Sequence, residues 1–531
     1  MRFGAPDPSL TATSGVAAVA EFLTKLDVIG IFDRGIGPIK QRDRGASAGE
    51  LLVGLAQSQL LGGDALIALD RQRADAAATE LSAVPPIPAT TAGSLARRFG
   101  TEQLAGIESA NAEVIARAVG LLPAARTGKL QAALTIDMDS TDVEVYGPRK
   151  QGVAYNYAGQ RAGRPHLATW AEAGVTVAAE LLAGNDDVRP RAAGMLHRAL
   201  AAIPQQVRDA LAEAGRVPRA RVDAGYFTGD LAHAAIEEGC DFAIAAKRNT
   251  AMWRAYASIS RDAWVDAKDM PGAQVAAVDY APAGWPEDSY TIVRRVRVET
   301  EAISADPRSR RRRTIDPGQL ALALEGTATH AYAVSFIVTN IPTHRRADAE
   351  KNHETVVEVE AWFRRRTDIE DRIREAKLGA ALRHLPSGNA RVNTVWTWAA
   401  LLAGNLSVLL QTLTRIDDDG RAHGARLRHQ LLCVPARLIR HGRVLTLRLP
   451  PGDHLLPTVL ARIRELDTAG LRAASHPDHQ GPSETPRPER HREDRRTRQR
   501  GAVPAVPRIR TQTRSHALPA DPGQTQLWLC P

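Results

Sequence analysis

The sequence predicts an α/β protein: a mixed β-sheet flanked by helices, with a helical N-terminal region and a mainly β insertion. Three observations predict it. Residues 1–128 carry apolar side chains at helical spacing. From residue 129 short apolar runs alternate with helical segments, in the order three strands, helix, strand, helix, strand. Between residues 248 and 330 that alternation lapses into β-rich pieces, and it resumes at 331.

Each element has a local reason. Val16–Ile31 and Leu51–Leu61 repeat apolar residues at helical intervals, and Ser47 with Glu50 forms a capping box for the second stretch. The run VPPIPATT (Val84–Thr91) breaks the chain before a further helical stretch, Gly93–Leu122. Two readings of 1–128 stay open, a helix-turn-helix module on DNA and a bundle packed on the next domain. Arg97 and Arg98 are its exposed candidates for phosphate contact. Residues 129–247 read as the first part of the sheet domain. LQAALTID is a buried strand ending in Asp137, and VAYNYAGQRAGRPH is a turn region. There Tyr155, Tyr157, Arg161 and Arg164 either line a nucleic-acid path or decorate a surface turn. ATWAEAG and VTVAAELLAG read as strands, Pro190–Gly215 as a helix, and Ala220–Phe227 as a strand ending near Asp223. Gly229–Gly239 reads as a helix and Asp241–Lys247 as a fifth strand.

The insertion, 248–330, holds the strand-like SYTIVRRVRVET and three tryptophans, Trp253, Trp264 and Trp285, suited to local packing or to base stacking. Residues 331–415 read as the second part of the sheet domain. They comprise a strand at Ala331–Asn340, a long helix from about 347 to 382, and an apolar helix at Val395–Leu413. Thr397, Asn405 and Ser407 make that last helix a core element rather than a membrane span. Residues 416–470 read as a C-terminal helical region. Residues 471–531 have almost no apolar side chains and are expected to be a disordered basic tail, either a DNA-binding arm or an out-of-frame extension.

The bulk numbers narrow the partners. Lys and Arg number 69 against 60 Asp and Glu, a net charge of +9, which favours a polyanion. Three cysteines without CxxC spacing argue against zinc sites and a disulfide framework and suit a reducing cytoplasm. No P-loop and no GxGxxG after a strand is found, which disfavours a nucleotide-dependent metabolic enzyme.

The chemistry resides in carboxylates. Asp137 and Asp223 each end an apolar strand, and Ala224 and Gly225 leave room for a ligand beside the second. Neighbouring carboxylates repel unless a cation lies between them, and all-oxygen ligation suits Mg2+ or Mn2+. A third ligand comes from WFRRRTDIEDRIREAKLGA. At about 100° per residue, Phe363, Arg366, Glu370 and Lys377 share an arc of roughly 60° beside an apolar stripe of Trp362, Ile369, Ile373, Ala376 and Ala380. Glu370 can then complete a metal site, with Arg366 and Lys377 gripping phosphates, while Glu375 points away. Asp139 reads as a group behind the first ligand or as a turn residue. The plainer alternative is turn-forming aspartates and a solvated helix face with i,i+4 pairs.

Phe363, Arg366, Glu370 and Lys377 keep the spacing of the Tyr–Arg–Glu–Lys signature of insertion-sequence DDE transposases, with Phe in place of Tyr. LTIDMDST and VDAGYFTGD resemble the segments carrying the two catalytic aspartates of that family. Together with LGGDALIALDRQRAD, RRTDIEDRIREAK and LPSGNARVNTVWTW they resemble its "thirteen-eighty" group, over roughly residues 10–450. The resemblance implies an RNase H-like core and two metal ions, Mg2+ or Mn2+, held by Asp137, Asp223 and Glu370. It also implies cleavage at transposon ends with transfer of the freed 3′-hydroxyl into target DNA. The implied partners are double-stranded terminal repeats and target DNA, bound by a homodimer in a bacterial cytoplasm. A nuclease of the same fold without strand transfer, and a catalytically dead remnant of an insertion element, are the alternatives.

Overall fold

A computed structural model describes residues 1–42, 44–309, 311–342 and 355–468. The expected basic tail and the first residues of the expected 347–382 helix lie outside the described residues.

In the N-terminal region, α1 (Ala48–Leu60) starts at the Ser47–Glu50 capping box, and α2 is Thr101–Val119. The sheet domain then begins with β1 (Thr135–Ser140), β2 (Arg161–Trp170) and β3 (Val175–Ala183). Next come α3 (Arg189–Ala201), β4 (Arg219–Val222), α4 (Gly229–Glu237) and β5 (Asp241–Ala245). In this sheet β3–β2–β1 is an antiparallel meander, and β4 and β5 lie parallel to β1, reached by helical crossovers. This is the RNase H-like order expected from the sequence.

Several boundaries differ from expectation, and the expected helical region 416–470 contains a β-hairpin, Ala436–His441 with Val444–Arg448, turned at Gly442 and paired with Leu10–Thr11. The Leu–Gln–Ala–Ala of the expected first strand closes a helix, Ala124–Ala132, and β1 starts only at Thr135 and runs on to Ser140. Alanine-rich sequence favours helix, and the β-branched pair Thr135–Ile136 favours the strand. The turn region shrinks because β2 begins at Arg161. Pro204, which has no amide hydrogen, divides the expected Pro190–Gly215 helix in two.

The insertion extends the main sheet. β6 (Ala273–Val278), β7 (Tyr290–Glu299) and β8 (His330–Thr339) form an antiparallel ladder whose last strand pairs with β5. The principal order is therefore β3–β2–β1–β4–β5–β8–β7–β6. The insertion's tryptophans pack locally. Trp253 meets Tyr256 and Phe336, Trp264 lies under Arg295, and Trp285 meets Phe227 and Phe242.

After β8 come α5 (Val356–Arg364), opened by a Thr355–Glu358 capping box, α6 (Thr367–Gly379) and α7 (Ala390–Leu413). The expected single helix breaks at Arg365–Arg366. α7 has the length and composition of a membrane span, yet most of it is buried in the core. One core cluster runs from Ala18 to Ile463, so the N-terminal helices share it with the sheet. The helices of 1–128 thus pack on the sheet domain. Gln59 Nε2 of α1 donates to the Trp396 carbonyl at 3.2 Å.

Asn405 is the polar lock of this core. It accepts from the Thr176 amide at 2.8 Å and donates to the Thr176 carbonyl at 2.8 Å and to Asn111 Oδ1 at 2.9 Å. α2, β3 and α7 thus meet at one amide. An Asn405→Ala variant would leave these buried groups unsatisfied, and its unfolding free energy in denaturant titration should fall by roughly 2–4 kcal/mol.

Candidate active site

Because β1 runs to Ser140, Asp137 lies inside the sheet. Side chains two apart on a strand share a face, so Asp139 lies on the face of Asp137, roughly 6–7 Å nearer the strand's C-terminal end. Asp137 is 0% exposed. Its register partner on β4 is Arg221, whose Nε and Nη2 donate to the two carboxylate oxygens at 2.5 and 3.1 Å. Arg221 also donates to the Trp362 carbonyl, and its guanidinium lies 5.2 Å from the centre of the Trp362 ring. Trp362 Nε1 in turn donates to Thr135 Oγ1 at 3.2 Å. Asp137, expected at the rim, is instead buried and paired with Arg221, which fastens the end of α5 to the sheet.

The rim position belongs to Asp139. Burial pushes its carboxyl up to about 6, and the negative charges of Asp223 and Glu370 push the same way, against Arg366 and the Ser140 amide. Asp223 ends β4, and its Oδ1 accepts from the Gly225 amide at 2.8 Å, opening a 3-10 turn at Ala224–Tyr226. Arg366 stands between the remaining groups, with Nη1 3.6 Å from Asp139 and Nη2 3.7 Å from Glu370. The structure thus gathers Asp139, Asp223, Glu370 and Arg366. Asp137 feels mainly burial, which raises it to about 6, opposed by Arg221. The sequence pattern ends this strand at Asp137, three residues short of Ser140, and so points Asp137 rather than Asp139 to the rim. The alternation in TIDMDS shows the shared face; the end of the strand depends on pairing with β2.

Within α6 the apolar stripe emerges as expected, while Trp362 and Phe363 lie on α5. Ile369, Ile373, Ala376 and Ala380 are buried, while Glu370 is exposed. Glu375 accepts from the Gly424 amide at 2.6 Å and pairs with His423, away from the other carboxylates. Lys377 donates to the Asp142 carbonyl at 2.9 Å, and burial lowers its ammonium. Arg161 and Arg164, which the sequence leaves between a nucleic-acid path and a surface turn, hold neighbouring backbone and side-chain groups at the sheet edge. Arg161 donates to the carbonyls of Gly147 and Lys150, and Arg164 to Asp142 at 2.8 Å and to the Asp186 carbonyl. Both are half-buried because the longer β2 draws them into the sheet edge. Arg97 and Arg98 are exposed at the end of a short helix, far from these groups in sequence and beside Arg391, which donates to the Arg97 carbonyl.

Sequence reasoning missed two residues under this rim. Tyr226 is 1% exposed, its hydroxyl has no hydrogen-bond partner among the described residues, and burial, with the charges of Asp139 and Asp223, raises its phenol. Its ring lies 5.6 Å from that of His166, whose Nδ1 meets Glu180 at 2.9 Å. No sequence spacing marks such a pair, because the two come from different elements.

The donor chemistry fits a hard divalent ion: carboxylates alone, mutually repelling, with an arginine wedged among them whose buried Nη1 lacks a hydrogen bond. Among the described residues no three His, Cys, Asp or Glu side chains are drawn tightly enough together to hold an ion unaided. The exposed Glu370 side chain has the freedom to close that gap.

The family model "Transposase DDE domain group 1" matches residues 8–308 and 320–468. The chain belongs to this family of DDE-domain transposases and is a transposase enzyme. A search of curated proteins finds no match. Solved structures that match include a piggyBac transposase synaptic complex with hairpin DNA, 10% identical over 78% of each chain with a TM-score of 0.38. A likeness that slight carries no functional conclusion.

The raised Asp139 carboxyl makes stability depend on pH. In the folded chain it holds its proton up to about pH 6, and in the unfolded chain only to about 3.8. Between these values the folded state binds the extra proton, so this group's contribution to stability rises as pH falls from about 6 toward 4. Above 6 the charged form is a burden. In chelator, Asp139→Asn should therefore be more stable than wild type at pH 7.5, by up to roughly 2–3 kcal/mol, and the gap should shrink by pH 4. Denaturant unfolding at the two pH values measures it.

Proposed function

We propose that this transposase cuts DNA at the ends of its element and joins the freed 3′-hydroxyl to target DNA, using Asp139, Asp223 and Glu370. The observation that carries the reading is the convergence of these three acidic groups around Arg366 at one sheet rim. The family generally uses divalent metal ions, and Mg2+ or Mn2+, two per site, is the proposed complement. Such ions supply an activated water and charge neutralisation at phosphorus. Asp139 and Asp223 would hold one ion, and Asp139 with Glu370 the other. The Tyr–Arg–Glu–Lys spacing with Phe363 in first place supports placement in the "thirteen-eighty" group.

The chain's own residues do the positioning. Arg221 holds Asp137 and the end of α5, so that α6 presents Glu370 beside Asp139. Arg366 keeps the carboxylates from repelling one another apart, and once they are engaged elsewhere its guanidinium is released toward a phosphate. Lys377 holds the Asp142 segment beside the rim. Double-stranded terminal repeats and target DNA are the proposed substrates, brought together by a homodimer. The net charge of +9 and the exposed Arg97 and Arg98 support contact with DNA.

The test is end cleavage and joining with labelled element ends, a plasmid target and Mn2+. Asp139→Asn, Asp223→Asn and Glu370→Gln should each lower product at least roughly 100-fold while remaining folded. Asp137→Asn should act first on stability. Retained activity in Asp139→Asn, with loss in a folded Asp137→Asn, would return the assignment to Asp137. Nicked ends without joined products would favour the nuclease reading.

A further inference from the structure

On the side of α6 turned away from the carboxylates, a cleft partly open to solvent lies between α6, α7 and the segment 421–424. Arg372 and Arg421 both line it. Arg372 follows Glu370 by two residues, about 200° around the helix, so the two sites occupy different faces. Both arginines are half-buried, and neither forms an ion pair among the described residues. Arg421 Nε is buried without a hydrogen bond. Burial, and then the charge of Arg372, lowers the Arg421 guanidinium to about 10.

The nearby acids have other partners, although Glu375 itself lines the cleft. Asp417 pairs with Arg126 at 2.9 Å and accepts from Thr412, and Glu375 is held by Gly424 and His423. The segment carrying Arg421 is itself rigid. The Ala422 amide donates to Gln411 Oε1 at 2.8 Å, and Gln411 Nε2 returns to the Ala422 carbonyl at 3.2 Å. Gly174, at φ +69°, leaves the guanidinium its room, since a Cβ there would collide with Nη1. Two like charges thus line one cavity, and among the described residues neither is ion-paired, the Glu375 carboxylate that shares the lining being held by Gly424 and His423. Solvated arginines of a mobile surface loop would instead swing apart.

We propose that this cleft is a phosphate-group site, in which the guanidiniums of Arg372 and Arg421 jointly donate to a phosphate or phosphodiester. Planar donor forks from two directions match the acceptor oxygens of a tetrahedral oxyanion, and the bound charge removes the repulsion between them. The site is separate from the carboxylate rim, and its failure would leave the reading of that rim untouched.

The test follows the thermal midpoint of the full chain titrated with inorganic phosphate at constant ionic strength. Wild type should show a saturable rise of about 2–4 °C. Arg372→Gln with Arg421→Gln should lose that rise, yet melt no lower than wild type without phosphate, because the variant removes repulsion. No saturable rise in wild type, or an undiminished rise in the double variant, overturns the proposal. Should the phosphate-free variant melt lower, Arg421→Lys provides the comparison: a folded chain responding as fully as wild type overturns the bidentate site, and a weakened response supports it. Binding to a short DNA duplex across salt concentrations separates the sources. A DNA-backbone occupant predicts a salt slope about one unit shallower in the double variant, and a free phosphate an unchanged slope.

Discussion

The buried pair of Asp137 and Arg221 is the constraint on which the site depends. Two charges 1% and 3% exposed are tolerable only as a pair, since either alone would be an uncompensated ion in the core. The pair does more than satisfy itself. It sits at equivalent register positions of the two central parallel strands and reaches the Trp362 carbonyl at the last turn of α5. A slip of one residue in β4 would turn Arg221 to the other sheet face and release both the aspartate and the helix.

From that anchor the rim follows by geometry. The pleat sends Asp139 out on the same face as Asp137, β4 ends at Asp223, and the break at Arg365–Arg366 starts α6 where Glu370 overhangs both. The three acids would repel, and Arg366 offsets part of that repulsion at ion-pair distances slightly too long for good hydrogen bonds. Several of the unsatisfied polar groups collect here: Arg366 Nη1, Tyr226 Oη and His166 Nε2 are all buried without hydrogen-bond partners among the described residues. Incomplete satisfaction concentrated at one place marks where a protein reserves capacity for a ligand.

The surroundings make this rim stiff. Asp142 accepts Lys377 through its carbonyl and Arg164 and Asn156 through its carboxylate, tying the chain after β1 to both α6 and β2. The insertion continues the sheet through β8 on β5, so it buttresses the core directly. The N-terminal helices close the far side through Gln59, Asn111 and Asn405.

The sequence by itself determined the class of fold, the identity of the helix that carries Glu370, and the face that helix presents. These depend on local pattern: the spacing of Ile369, Ile373, Ala376 and Ala380 dictates burial whatever lies beneath, and Asp223 follows the short strand Arg219–Val222 and precedes a glycine turn. Tertiary structure alone decided which aspartate of IDMDS reaches the rim, because β1 ends where its pairing with β2 ends, and that partner lies some twenty residues further along the chain. It also decided that Arg161 and Arg164 serve the fold and that the insertion belongs to the main sheet. The physical reason is the same each time: a charge's task is set by the partner that folding brings to it, and Arg221 for Asp137, like Asp142 for Arg164, is a neighbour only in space.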